Sequence, residues 1–160
     1  MSFKRKLDWC LKQGQGKEHR GLKEIAPDAE KSKAQLEKAE SDLKTMQYLY
    51  DGNRTDWVAS TAFYAMYHSL LAVLYRMGYE SRNQECTITA VEYLIDEGRL
   101  DVDKEYIDMI RSARKKEDAK STREDMQYGA KTILEDERCK ILMHNARSFV
   151  EKMSSVLLDV

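Results

Sequence analysis

Residues that break regular structure are scarce in this chain: one proline and seven glycines serve 160 residues. So few cannot supply the many turns of an all-β fold. Cysteine is sparse too and odd in number, and Cys10, Cys86 and Cys139 lie far apart, with no pair at the short spacing of a zinc or redox motif. The expectation is reduced thiols in a cytoplasmic protein. Neither sign of charge dominates, since 27 Lys and Arg stand against 28 Asp and Glu, so no global field points to nucleic acid or an anionic membrane. The opening residues are charged rather than apolar, and no uncharged apolar stretch stands out at bilayer length, so neither a signal peptide nor a membrane span is expected. A glycine-rich phosphate loop, an HExxH pair, a His/Cys metal cluster and a nucleophile elbow are all missing, so no metal or cofactor is expected.

What the sequence has is interleaved charge and apolarity, 34% charged and 42% hydrophobic, the composition of long amphipathic helices. The length suits one domain with a sizeable core. We expect an irregular or short-helical N-terminal arm over residues 1–27 and a helical bundle over 28–160. The arm is basic (Lys4, Arg5, Lys6, Lys12, Lys17, Arg20, Lys23) and carries Gly14, Gly16 and Gly21. Pro27 and Asp28 suit a helix start. Beyond them Leu36, Ala39, Leu43, Met46 and Tyr50 mark one apolar stripe, stopped at Asp51-Gly52-Asn53.

The next helix, about Asp56 to Met77 with Thr55 or Asp56 as cap, carries the most information. One stripe (Val58, Ala62, Ala65, Ser69, Ala72) is small, and lets another backbone approach closely. A second (Trp57, Thr61, Tyr64, His68, Leu71, Tyr75) is large and aromatic, and a third (Phe63, Met66, Leu70, Val73, Met77) is plainly apolar. A helix apolar on most sides sits at the centre of a bundle or buries a face in a partner. Gly78 ends it. Further helices are expected over about 85–97, from 103 into the 120s, and from about 135 to 158, which gives an all-α up-and-down four-helix bundle with a broken third helix.

The run from Asp56 to Leu71, DWVASTAFYAMYHSLL, closely resembles the second helix of the HEPN family, whose members read approximately D-W-x-x-x-x-A-Y-Y-A-M-Y-H/F-S/A. Lys38-Ala39-Glu40 with Leu43 is similar to the first-helix pattern, Gly78-Tyr79 to the end of helix two, and Arg123-Glu124-Asp125-Met126-Gln127-Tyr128 to a patch before the last helix. The resemblance spans about residues 21–158. It implies a four-helix bundle, frequent homodimerisation along the small-residue face, and involvement with nucleotides or RNA. Many prokaryotic members pair with a minimal nucleotidyltransferase as toxin and antitoxin. A subset are metal-independent ribonucleases that carry an arginine, four to six residues, then a histidine on the last helix.

Arg138 and His144 have that spacing. A histidine can take the 2′-OH proton while an arginine holds the scissile phosphate, which yields a cyclic phosphate without metal. Cys139 follows Arg138 where active members usually carry Asn, Asp or His. On an ideal helix the two side chains diverge by about 120° and stand about 9 Å apart along the axis. The leading expectation is therefore a non-enzymatic HEPN module, dimeric or paired with a nucleotidyltransferase; the alternatives are a ribonuclease toxin using Arg138 and His144, and a small-nucleotide sensor near the second-helix aromatics. Arg111, Arg114, Lys115, Arg123 and Tyr128 either stabilise the bundle or line a nucleotide or RNA groove, since arginine bonds phosphate in bidentate fashion. His68 reads as a core histidine bonded to a tyrosine. Glu135, Asp136 and Glu137 read as helix N-terminal charge, not a metal site.

Overall fold

The structure, a computed structural model, describes residues 3–118 and 133–160. The elements in order are α1 (Phe3–Gly14), β1 (Leu22–Glu24), α2 (Ala29–Asp51), a 3-10 turn (Thr55–Trp57), α3 (Val58–Met77), β2 (Tyr79–Ser81), α4 (Gln84–Asp96), α5 (Lys104–Asp118) and α6 (Ile133–Asp159). The fold is all-α, with one small two-stranded ribbon. Helices α2, α3, α5 and α6 form the up-and-down bundle, and α4 with α5 make the broken third arm.

Helix α2 begins where its chemistry allows. The Asp28 carboxylate accepts from the Lys31 N–H at 2.9 Å, satisfying one of the unpaired amides of the first turn. The helix stops where Asn53 takes a positive φ of 63°. At the start of α3 neither Thr55 nor Asp56 is the cap: Arg54 and Trp57 hold the cap positions, without side-chain capping bonds. The 3-10 turn carries the chain into α3 instead. Gly78 ends α3 at φ +92°, and a Cβ there would stand 3.0 Å from the Ile25 carbonyl.

All of the small stripe is buried inside this one chain: Val58, Ala62, Ala65, Ser69 and Ala72 have no exposed surface. Ala65 packs with Ala39 of α2 and Val150 of α6, and the Ser32 hydroxyl donates to the Ala72 carbonyl at 2.7 Å. The close backbone approach is made by α2 and α6, so this stripe is not a free face for a second copy. By length and composition Thr55–Met77 is apolar enough to cross a membrane, which the sequence reading did not expect. Its most apolar window, however, is 61% buried among its neighbours.

The arm is more ordered than the sequence suggested. α1 lies against α4, and β1 pairs antiparallel with β2 in the register Leu22↔Ser81, Lys23↔Glu80, Glu24↔Tyr79. The expectation of three free thiols is corrected: Cys10 of α1 and Cys86 of α4 form a disulfide, both fully buried. Only Cys139 remains a thiol, buried on α6. The two half-cystines are 76 residues apart, and the ribbon that brings them together has no sequence signal of its own.

Candidate functional site

Helix α6 buries Cys139, Leu142, Met143, Ala146, Phe149 and Val150 against the bundle, which turns Arg138, Ile141 and His144 outward. Ile141 is 57% exposed, unusual for a large apolar residue on an otherwise polar strip. Arg138 and His144 flank it along the helix and are both exposed. Neither has a hydrogen-bond or ion-pair partner among the described residues. Their spacing turns them about 120° apart, so within one chain they do not converge.

The strip is anchored beside them. The Tyr50 hydroxyl of α2 donates to Asp136, and Lys140 reaches Asp136 at 3.1 Å and Glu137 at 3.7 Å. The bond from Tyr50, with that from Lys140, holds the Asp136 carboxyl below its usual range, and the same contact with Asp136 raises the tyrosine. Arg147 donates to Gln47. The acidic start of α6 thus ties the helix to α2.

The predicted basic residues of α5 divide. Arg111 and Arg114 are not a free groove. Arg111 donates to Glu85 at 2.8 Å and to Glu92 at 3.0 Å, and Arg114 to Glu85 at 2.5 Å. Lys6 from α1 joins the same Glu85 carboxylate. Partial burial pushes the Glu85 carboxyl up, but hydrogen bonds from Arg111 and Lys6, with their charges, override it and hold the pKa at about 2. Lys115 is exposed on the last turn of α5 and outside this cluster. Arg123 and Tyr128 lie outside the described residues.

The aromatic stripe is the one side of α3 that the bundle leaves partly open. Trp57 is 59% exposed and Tyr64 38%. His68 bonds not a tyrosine but Asp42 of α2, Nδ1 to Oδ2 at 2.5 Å, and its ring stacks on Tyr64 with centroids 6.0 Å apart. The carboxylate fixes the ring and leaves Nε2 as the other polar end. Nothing in the sequence marks Asp42 as that partner, because it belongs to another helix, 26 residues away. His19 packs at the ribbon, with Nε2 3.2 Å from the Glu80 carbonyl oxygen. Among the described residues no group of three or more His, Cys, Asp or Glu could hold a metal ion.

The family model of the HEPN domain matches residues 32–156. The chain belongs to the HEPN family. The match covers α2 through α6 and leaves α1 and β1 outside it, so the HEPN bundle here carries an added N-terminal segment. Comparison with individually curated proteins finds no match. As a HEPN domain the chain is a module of a superfamily associated with nucleotides and RNA.

Proposed function

We propose that this HEPN module engages RNA or a nucleotide through the outer face of α6 and works as an assembly, either a homodimer or a complex with a minimal nucleotidyltransferase in a toxin–antitoxin-type system. The observation that carries the reading is the exposure of Arg138, Ile141 and His144 together on one helix face with no partner among the described residues. An exposed apolar residue between a cation and an imidazole suits a contact surface better than a solvated one. Because the two polar side chains diverge on one helix, a site that uses both needs a second surface opposite α6. Among the described residues the two side chains do not converge, and this favours binding over catalysis as the leading role.

The second reading is a metal-independent ribonuclease, and it rests on the same two free side chains. Packed across a dimer, an Arg138 from one copy would hold the phosphate while a His144 takes the 2′-OH proton. The test is incubation of the purified protein with RNA in chelator, beside His144→Ala, with the assembly state followed by sedimentation. For the binding module we expect an assembly that holds RNA or nucleotide without cutting it. Cleavage by wild type that falls about 10²–10⁴-fold in the variant would instead establish the ribonuclease. A monomer that neither binds nor cleaves, with or without a nucleotidyltransferase, would overturn both.

A further inference from the structure

The cluster around Glu85 gathers several cations on one carboxylate. Three cations from two helices converge on it: Lys6 and Arg111 at Oε1, and Arg114 at Oε2. Glu92 takes only the second nitrogen of Arg111. Among the described residues three cations thus meet two carboxylates, and the joined group keeps one positive charge over. Its side chains are 27–36% exposed, so solvent and solutes reach it. Guanidinium forks match phosphate oxygens in bidentate geometry, and a phosphate offers more acceptor oxygens than a carboxylate.

We propose that Lys6, Arg111 and Arg114 form a phosphate-binding site that the Glu85 side chain fills in the resting protein and vacates when a phosphate group arrives. Glu85 acts as a resident competitor on the first turn of α4. This deepens the reading above, since it names a second surface for a phosphate-bearing ligand, away from α6. Lys6 lies outside the segment that matches the HEPN model, so the added helix supplies part of the site.

Competition by a side chain that fills a site about nine-tenths of the time lowers apparent affinity about tenfold. Glu85→Gln keeps the shape of the side chain and removes its charge. We expect it to bind pyrophosphate and a short single-stranded RNA about tenfold more tightly than wild type in calorimetry. The salt dependence for RNA should steepen by about one phosphate contact. Arg114→Gln placed on Glu85→Gln should reverse the gain, and circular dichroism shows whether each variant stays folded. A gain for both ligands identifies the phosphate group itself as what is recognised; a gain for RNA alone identifies the polymer backbone. Unchanged affinity for both ligands in a folded Glu85→Gln protein overturns the proposal, as does a gain that Arg114→Gln fails to reverse. The pyrophosphate arm needs neither α6 nor a second copy, so its outcome is separate from that of the RNA-cleavage experiment.

Discussion

Glu85 shows how one side chain can set a pH response. Its folded pKa, about 2, lies below the ordinary 4.5, so the folded state holds the ionised form more strongly than the unfolded chain does. Its contribution to stability is therefore complete above the unfolded value and is lost as pH falls from about 4.5 towards 2. Urea melts of wild type at pH 7 and pH 3 should show a larger loss at pH 3 than the same pair on Glu85→Gln; equal losses would remove Glu85 from the acid response. The sequence made half of this cluster legible. A basic run at Arg111 and Arg114 is visible, but its partners are not. Lys6 is 79 positions from Glu85, and only the packing of α1 on α4 joins them. His68 repeats the lesson: its stripe and aromatic neighbours were readable, and its carboxylate partner on α2 was not.

Helices were the most legible elements, because apolar stripes at spacings of three and four carry both the helix and its buried face. The Asp28 cap and the left-handed Gly78 were readable for the same local reason. The ribbon was not, since three-residue strands leave no periodicity, and the start of α3 misled because Thr55 and Asp56 have capping chemistry without capping geometry. The small stripe of α3 packs inside the bundle, the first of the two readings its pattern leaves open. Ala65→Leu tests the assignment. Overpacking against Ala39 and Val150 should cost about 1–3 kcal/mol in a urea melt, at any protein concentration. A variant that keeps its stability but changes its assembly state would return the stripe to a partner chain. Tyr64→Ala, which removes the ring stacked on His68, should cost at least about 0.5–1.5 kcal/mol.

At the scale of the molecule, the N-terminal helix and the bundle are held by three different kinds of tie: the ribbon, the Lys6–Glu85 pair and the Cys10–Cys86 disulfide. The disulfide closes a long loop, so reducing it should lower stability by about 2–4 kcal/mol, read as a shift in the urea midpoint between the oxidised protein and a Cys10→Ser, Cys86→Ser variant. An unchanged midpoint would mean that the sulfurs contribute no more than two packed thiols. The odd cysteine, Cys139, sits on α6, away from the pair. That placement explains why counting cysteines could not pair them.

The disulfide also divides the chain mechanically. Between residues 10 and 86 the polypeptide is a closed ring, which contains α2 and α3 whole, while α5 and α6 hang outside it. Tension applied at α1 and α6 passes along the covalent chain through the sulfur bridge, and the backbone of α2 and α3 is bypassed. Only after reduction do the bypassed residues 11–85, roughly 27 nm of extended chain, enter the path of the force. The aromatic face of α3 thus lies on a stretch of backbone that the disulfide takes out of the covalent path between α1 and α6.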